Sequence, residues 1–351
     1  MIQVKKKLFT ITVLLILLLV SFTGCLDEPT KETEEEVVIY VDILGGKDYE
    51  NIQDAIDNAN DGVTIEVSPG EYFECLMIDK PVKIRGNPGT ILHPRNASEN
   101  KNTLIFINSE NCTIEGLTLT NSNYWKNLMG IRINSSNTKI SENKISKFEY
   151  GIYLKEDVRN GHIYTGIEIS DNEVSNNSNG IYLYANAEEN LIKNNDVIDN
   201  IDGINVYYHL NTTIQNNYVF SNSQYGIYLN INSDSNIVKK NVCKDNRYGI
   251  RFKGVSENEI YLNRIEGNEL GLYSCCGASF NKVYKNTCID NQKHASDGFY
   301  NSWDNGVNGN YWDDYTQRFP DATKSGGHWN IPYNISDGDN LDNFPLVSPT
   351  V

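Results

Sequence analysis

The chain has 351 residues, 39% of them hydrophobic, so it is long and apolar enough to bury at least one large core. It carries 46 acidic and 30 basic residues, which gives a formal net charge of −16 at pH 7. Nucleic-acid binding needs a basic surface, so this balance argues against a nucleic-acid partner and suits a soluble, mutually repulsive outer surface.

Residues 1–24 have the layout of an export signal. Lys5–Lys7 form a charged start, and Leu8–Val20 is an apolar run that is short for a membrane span. The run closes in the letters FTGC, which resemble a lipoprotein lipobox and predict Cys25 as the lipid attachment site. The alternative is an ordinary signal that is cleaved elsewhere. Residues 25–37 are predicted to be an acidic tether, which would place the protein on the outer face of the cytoplasmic membrane or at the cell surface.

A short helix and a strand are predicted next. Apolar residues on one helical face predict an amphipathic helix over residues 49–60, ended by Gly62, and a strand over residues 63–67. The apolar residues are Ile52, Ala55, Ile56 and Ala59. We interpret the helix as an N-terminal cap, because the open end of a solenoid exposes its core.

Residues 38–296 are dominated by a repeat. A glycine followed by alternating apolar and polar residues recurs about every 23 residues, at Gly130, Gly151, Gly180, Gly203, Gly226, Gly249 and Gly271. Two rows of asparagine recur in phase with it: Asn143, Asn172, Asn195, Asn217, Asn241, Asn263 and Asn286, and Asn177, Asn200, Asn222, Asn246, Asn268 and Asn291. Alternation predicts half-buried strands, with Ile181 and Leu183 inward and Tyr182 outward. Stacking of such units about 4.8 Å apart predicts an all-β fold, a parallel β-helix.

The asparagine rows are predicted to be structural. Asparagine tolerates the left-handed backbone conformation needed at corners, and stacked asparagines can hydrogen-bond along the stack. The alternative is that the rows bind a ligand.

Residues 297–351 change to a composition of Asp, Asn, Gly, Trp and Tyr, which predicts a loop-rich C-terminal cap. Asp337, Asp339 and Asp342 leave calcium as an open alternative there, although the EF-hand spacing fails. Copper prefers Cys, Met and His ligands, and the 5 His and 3 Met are scattered. We therefore assign no metal and no cofactor. The adjacent thiols Cys275 and Cys276 are expected at the solvent-facing end of a strand or in the turn that follows it.

Two other cysteines are predicted to be core residues. Cys243 and Cys288 occupy the same inward row, two turns or about 9.6 Å apart. A disulfide spans at most about 7 Å between Cα atoms, so this pair should stay reduced.

The outward face of the Gly-Ile strands is the candidate binding surface. It is predicted to carry Tyr153, Tyr182, Tyr184, Tyr207, Tyr228, Arg251 and Tyr273. Aromatic rings suit stacking on sugars, and the nearby cations suit uronic or sulfated sugars. The alternative is that stacked tyrosines are only favourable cross-strand pairs.

Catalysis on this face would need more groups. A hydrolase needs paired carboxylates and a lyase needs a positioned base, whereas Asp202 is the single carboxylate expected beside the face. The excursion over residues 156–162 could overhang the face as one wall of a cleft.

Three segments carry a family resemblance. Ile52–Asn87 resembles the opening of pectin-lyase-like β-helix proteins, and the Asn and Gly-Ile repeats resemble the NosD-like subgroup, labelled periplasmic copper-binding or carbohydrate-binding and sugar-hydrolysis domains. Gly309–Tyr315, Ile331–Ile335 and Asp342–Val347 resemble the C-terminal module of archaeal surface members. The resemblance implies a right-handed parallel β-helix.

Three functions are compatible with this resemblance. The first, which we favour, is a lipid-anchored, non-catalytic carbohydrate-binding or adhesion module whose partner is a polysaccharide or cell-envelope glycan. The second is a polysaccharide lyase or glycoside hydrolase, and the third is a NosD-type accessory protein of copper-enzyme maturation. Asn-x-Ser/Thr sequons occur at Asn96, Asn111, Asn134, Asn176, Asn211 and Asn334, although an Asn-rich chain produces some by chance.

Overall fold

A computed structural model describes residues 36–95, 102–122, 126–155 and 158–350. The predicted export signal, Cys25, nearly all of the acidic tether and the sequon at Asn96 lie outside these residues. Within the described ranges, no helix is long and apolar enough to cross a membrane.

Three long parallel sheets, here called A, B and C, account for most of the chain. Sheet A comprises Val38–Val41, Thr64–Val67, Lys83–Gly86, Thr113–Glu115, Lys139–Ser141, Glu168–Ser170, Leu191–Lys193, Thr213–Gln215, Ile237–Lys239, Glu259–Tyr261 and Lys282–Tyr284. Sheet B comprises Gly70–Phe73, Thr90–His93, Thr118–Thr120, Lys144–Ser146, Glu173–Ser175, Asp196–Ile198, Tyr218–Phe220, Val242–Lys244, Arg264–Glu266, Thr287–Ile289 and Tyr311–Trp312. Sheet C comprises Leu76–Ile78, Thr103–Ile107, Met129–Ile133, Tyr150–Lys155, Asn179–Glu188, Asp202–Leu210, Tyr225–Asn230, Tyr248–Lys253, Leu270–Cys275 and Lys293–Ser296, with Tyr164–Thr165 paired at one strand end.

Each turn of the chain contributes one strand to each sheet, and neighbouring turns pair in parallel register. Aliphatic side chains of equivalent strands stack inside the cylinder, as Ile181, Ile204 and Ile227 do in sheet C. Burying such rows is the main favourable term for the fold. The prediction of an all-β, right-handed parallel β-helix is therefore confirmed.

The repeated glycine marks a corner where adjacent turns come very close. A Cβ placed on Gly226 would lie 2.5 Å from the backbone carbonyl oxygen of Gly249 on the next turn. Because this neighbour is backbone, it cannot move aside as a flexible side chain would. The row of glycines is therefore a packing requirement.

Both predicted asparagine rows form buried hydrogen-bonded ladders. Asn241 is typical: its Oδ1 accepts from the backbone N–H and the side-chain amide of Asn217, at 2.9 and 3.0 Å. Its Nδ2 donates to the Ile214 carbonyl at 2.9 Å and to Asn263 Oδ1 at 3.0 Å. Each asparagine thus serves both adjacent turns, and the structural interpretation of the rows is confirmed.

A third ladder was not predicted from the sequence. It joins Asn236, Asn258, Asn281 and Asn301 by the same pattern of bonds. On an earlier turn Asn190 accepts from the backbone N–H of Ile167. Thr212 interrupts the row: its backbone N–H donates to Asn236, but its hydroxyl donates to the Leu210 carbonyl of its own turn.

The expectation that the ladder asparagines adopt the left-handed conformation is wrong. The left-handed position falls one residue earlier, for example at Asn194, Ser221, Lys240 and Asp245, with φ between 52° and 56°. The corner is formed by this exposed residue, and the following asparagine turns its amide into the stack. The backbone requirement and the hydrogen-bonding requirement are therefore met by two different positions.

The N-terminal helix extends over Ile52–Asn58, shorter than predicted, and buries Ile52, Ala55 and Ile56. Its first N–H groups are satisfied by the carboxylate of Glu74, which accepts from Ile52 and Gln53 at 2.9 Å each. A buried helix start needs such acceptors, and the helix covers the first turn as expected.

The C-terminal cap is built on two buried tryptophans, each of which donates to a buried aspartate. The indole N–H of Trp303 donates to Asp297 Oδ2, and that of Trp312 to Asp342 Oδ2, both at 2.9 Å. The cap otherwise contains the helix Tyr315–Arg318 and the short strands Lys324–Ser325, His328–Trp329, Tyr333–Asn334 and Leu341–Asp342. Its polar core explains a composition rich in Asp, Asn and Trp.

Candidate functional site

The outward face of sheet C contains all seven residues predicted from the sequence. Strand pairing places one row across consecutive turns: Met77, Phe106, Arg132, Tyr153, Tyr182, Asn205, Tyr228, Arg251 and Tyr273. A second row, two residues further along the strands, holds Tyr184, Tyr207, Asn230, Lys253 and Cys275. The register of the repeat is therefore sufficient to bring the predicted residues together.

The tyrosines form one continuous aromatic layer. Neighbouring ring centroids lie 4.5 to 6.1 Å apart, mostly tilted or edge-on, in pairs that run from Tyr150 and Tyr153 to Tyr248 and Tyr273. Tyr150, Tyr225 and Tyr248 were missed from the sequence. They stand directly before the repeated glycines, and only positions after each glycine had been considered.

Much of this layer is covered by its own members. Tyr153 and Tyr228 are only 9% and 5% exposed, so their rings do not offer open faces to solvent. Burial raises the pKa of Tyr153 to about 12, and it raises the pKa values of Tyr182 and Tyr228 above their usual range. These hydroxyls therefore remain protonated hydrogen-bond donors, and they are poor general bases.

Two arginines of this face have no carboxylate partner in the part of the chain that the structure describes. The Arg251 guanidinium lies 4.9 to 5.7 Å from the ring centroids of four tyrosines, and it donates to Tyr225 Oη at 2.7 Å and to Cys275 Sγ at 3.3 Å. Arg132 lies 4.9 Å from the centroid of Phe106. The Nε atoms of both are buried without an acceptor.

Asp202 is the carboxylate of the same face. Burial raises its pKa, and its Oδ2 accepts from the Asn205 amide at 3.1 Å. Its hydrogen-bonding partner is thus an amide, and the paired-carboxylate geometry of a glycosidase is not formed here.

A groove of about 950 Å³ runs beside the starts of the sheet C strands. Its lining includes Lys147, Glu149, Ser178, Asp199, Ile201 and Ser223. These residues precede Tyr150, Asn179, Asp202 and Tyr225 on the same turns, so the groove borders the aromatic layer along the solenoid axis. The predicted wall lies at the opposite strand ends: Asn186 donates to the carbonyl of Val158 at 2.7 Å, and residues 156 and 157 lie outside the described residues.

The cysteines are free thiols throughout the described residues. Cys243 and Cys288 are buried two strands apart in sheet B, in agreement with their prediction as core residues. Cys275 is buried against Arg251, contrary to its predicted exposure, because its strand position places it under the guanidinium. Only Cys276 of the pair is exposed.

Two family models match the chain. Residues 157–317 match the model described as periplasmic copper-binding protein (NosD), and residues 56–230 match the right-handed β-helix region. A cell surface glycoprotein of Methanothermus fervidus is 29% identical over 166 residues, which is 46% of this chain but 26% of that protein. The matched part of the chain therefore spans about a quarter of the length of this curated relative.

Solved structures share the fold at low sequence identity. The A-module of the mannuronan C-5 epimerase AlgE6 of Azotobacter vinelandii is 16% identical, with a TM-score of 0.53 over 72% of this chain and 92% of that chain. The complex of XylC with xylose is 10% identical, with a TM-score of 0.58 over 89% of this chain and 73% of that chain. These likenesses show the fold alone.

Copper, which the NosD description names, would need a cluster of metal-ligating side chains. Among the described residues, one cluster combines metal-ligating types: His294, Asp313 and Asp314, with ligand atoms within 4.8 Å of one another. It was missed from the sequence because His294 and the aspartates are separated by a full turn.

The asparagine ladder makes this cluster unsuitable for a metal. Asn291 Oδ1 accepts from Asn268, so its Nδ2 faces Nδ1 of His294 at 3.2 Å. Nδ1 must therefore accept a hydrogen bond, and the neutral ring carries its proton on Nε2, which lies 2.7 Å from Asp313 Oδ1. The nitrogen that would bind the metal is thus a hydrogen-bond donor, and the cluster does not fit copper.

The aspartates of the predicted calcium alternative are separated as well. Asp337 pairs with Lys293 and Ser296, whereas Asp342 is buried against Trp312.

Proposed function

We propose that this right-handed parallel β-helix protein, part of which matches the NosD model, is a surface protein that binds acidic polysaccharide on the outward face of sheet C. The observation that carries the proposal is the pair of arginines without a carboxylate partner on that face. Four other arginines of the described residues have a carboxylate partner: Arg85 with Glu115, Arg247 with Glu269, Arg264 with Glu266 and Arg318 with Asp314. The chain has a net charge of −16 and therefore many carboxylates that could pair with these guanidinium groups. Two arginines that remain without such a partner on one surface are therefore well placed to bind an anionic ligand.

The surroundings of these arginines suit such a ligand. Aromatic rings hold a guanidinium in place by cation–π attraction while leaving its N–H groups able to donate. A carboxylate or sulfate that meets a partly desolvated guanidinium forms a charge-assisted hydrogen bond, among the strongest kinds in proteins. Arg132 also borders a hollow of about 200 Å³ with Met77 and Phe106, next to the face.

The spacing favours a chain over a single sugar. Arg132 and Arg251 are five strand positions apart in sheet C, which corresponds to about 24 Å. Tyrosine hydroxyls and the polar groove occupy the interval between them. A polymer of sugars lying along the solenoid axis could reach both arginines at once, whereas a monosaccharide could reach one.

Binding without turnover is favoured by the state of the ionisable groups. The raised pKa values of Tyr153, Tyr182 and Tyr228 oppose their use as bases, which a lyase would need. The Asp202 carboxylate accepts a hydrogen bond from the Asn205 side-chain amide instead of facing a second carboxylate, which a hydrolase would need. The alternative of an accessory protein for copper-enzyme maturation is disfavoured because the cluster of His294, Asp313 and Asp314 does not fit copper. The sugar-related names of the structural neighbours and the surface location of the curated relative support the proposal.

We expect Arg251→Gln to weaken the binding of a polygalacturonate oligomer roughly 10-fold or more, because one hydrogen bond to a charged group contributes about 1.5–3 kcal/mol. Arg132→Gln should act similarly, and the double variant more strongly. Titration calorimetry at two salt concentrations measures both the affinity and its electrostatic part. Arg264→Gln is the matched control, since it removes an equal charge that is already paired with Glu266 on sheet B.

The same assay contains outcomes against the proposal. Equal affinity for a neutral glucan of the same length would remove the anionic preference, and unchanged binding in the double arginine variant would remove the site. Release of unsaturated or reducing sugar ends by the parent protein would replace the binding role with an enzymatic one.

A lipid anchor at Cys25 is the second part of the proposed function. We expect the mature chain to begin at Cys25, to carry lipid there and to partition with membranes, whereas Cys25→Ser should appear in the soluble fraction. Mass spectrometry of the mature N-terminus measures this directly. Cleavage at another bond without lipid would show that the protein is exported by an ordinary signal.

A further inference from the structure

The sequons differ sharply in how the structure presents them. Asn134 is engaged on both sides of its amide: Nδ2 donates to Asn108 Oδ1 at 2.7 Å, and Oδ1 accepts from the Tyr164 hydroxyl at 3.2 Å. Asn111 and Asn211 are exposed, and within the described residues their side chains make no hydrogen bond. A modifying enzyme could therefore reach the last two without breaking a native contact.

Asn111 and Asn211 occupy equivalent corners of the solenoid. Each lies two residues before the first residue of a sheet A strand and has a left-handed backbone, with φ of 60° and 50°. The middle residue of each sequon, Cys112 or Thr212, is buried at 1% and 0% exposure. The asparagine is exposed and the threonine two positions later is partly exposed, so both lie on the outer side of the corner. The amide and the hydroxyl of the sequon are thus presented together.

The remaining described sequons lack this arrangement. Asn176 is exposed, but the hydroxyl of Ser178 donates to Glu149 at 3.3 Å, and both residues line the groove. A glycan there would occupy the groove beside the aromatic layer. Asn334 is exposed and precedes the buried Ile335, but it belongs to the strand Tyr333–Asn334 of the C-terminal cap and its backbone is not left-handed.

We propose that Asn111 and Asn211 are N-glycosylation sites of the exported protein. The co-reactant is a lipid-linked oligosaccharide, as sequon chemistry requires. The Asn Nδ2 loses a proton and forms a bond to C1 of the first sugar. The bond from C1 to the lipid phosphate oxygen breaks, and the phosphate leaves with the electron pair. The proposal rests on the export proposed above and is independent of glycan binding by sheet C.

The two sites are also placed so that they leave the candidate site open. They lie at the corner between the ends of the sheet C strands and the starts of the sheet A strands, about 19 Å apart over four strand spacings. The groove lies at the other edge of sheet C. Glycans at Asn111 and Asn211 would therefore cover the sheet A edge while the groove and the arginines stay accessible.

Peptide mass spectrometry of the protein recovered from the membrane and external fractions of its native host tests the proposal. Peptides containing Asn111 and Asn211 should carry a glycan, and Asn111→Gln and Asn211→Gln should each remove one glycan mass. Thr213→Val should remove the glycan at Asn211 although that asparagine is retained, and Thr213→Ser should restore it. Asn134→Gln, the control, should leave the glycan mass unchanged.

Two results would overturn the assignment. Unmodified Asn111 and Asn211 in the exported protein would show that presentation at this corner is not used for glycosylation. A glycan that persists in Thr213→Val would show that the modification at Asn211 does not depend on the sequon. The exported fraction is identified independently by the N-terminal analysis of Cys25, so a failure of export is seen separately from a failure of modification.

Discussion

Replacing Asn241 with leucine is expected to lower the free energy of unfolding by about 3 kcal/mol or more, since several buried groups each lose a partner worth about 1–3 kcal/mol. Asn241 receives two hydrogen bonds from Asn217 and donates to Ile214 and Asn263. Leucine has a similar volume but no polar atom, so the backbone N–H of Asn217 and the carbonyl of Ile214 would be left unpaired in the core. Denaturant unfolding followed by circular dichroism measures the loss.

A matched control lies on the neighbouring turn. Gln215→Leu makes the same exchange of an amide for an aliphatic side chain, but Gln215 points outward from sheet A and is not a ladder residue. Its effect should stay within about 0.5 kcal/mol, as for most surface substitutions. Equal unfolding midpoints for the two variants would contradict the assignment of the ladder as a stabilising element.

The ladder also predicts where the damage would appear. In a solenoid each turn contacts only its neighbours, so stability is nearly a sum of turn and interface terms. Hydrogen exchange in Asn241→Leu should therefore accelerate first in the strands Thr213–Gln215 and Arg264–Glu266, which flank the substituted turn. Uniform acceleration over the whole solenoid would indicate that the turns unfold as one unit.

The parts of the fold that repeat could be predicted from the sequence. The roles of Asn241 and Gly226 are recognisable because every turn has the same close backbone approach and the same backbone groups to hydrogen-bond at the same position, so the same residue type recurs there. The third ladder was not predicted because Thr212 stands where the other turns have an asparagine, and its hydroxyl donates within its own turn. A row is hard to recognise when one of its positions lacks the repeated residue type.

The candidate site was only partly predictable for a different reason. Period-two alternation tells which side of a strand Tyr228 is on, but not how much of that side its neighbours cover. The ring of Tyr228 is covered by Tyr207 and Tyr225 and by Arg251, which come from three separate turns. The unpaired state of Arg251 was equally invisible, since it depends on which acidic residues are absent from the adjacent turns.

The cap contacts have no local pattern at all. Asp342 and Trp312 are 30 residues apart in the chain and meet only because the tail folds back over the last turn. The sequence predicts Asp342 as one of three potential calcium ligands. The structure instead uses it as the buried acceptor for the indole N–H of Trp312 and the backbone N–H groups of Asn310 and Phe344.

Asp342→Ala is accordingly expected to destabilise the cap by about 3 kcal/mol or more, because two buried N–H donors and one partly buried one lose their acceptor. Trp312 should then become accessible to water, which would shift its fluorescence to longer wavelength. Asp339→Ala is the matched control: it removes an exposed carboxylate from the same segment and should leave both the unfolding midpoint and the fluorescence unchanged.

The pH dependence of stability provides a second, independent readout. Burial raises the pKa of Asp342 to about 7, above its ordinary value of 3.8. The folded state thus binds this proton more tightly than the unfolded state, so the contribution of Asp342 is fully present below about pH 4 and is lost as the pH rises towards 7. Asp342→Asn, which resembles the protonated acid, should be less damaging than Asp342→Ala and should remove this decline between pH 4 and 7. A decline of equal size in the parent and in Asp342→Asn would assign it to another group.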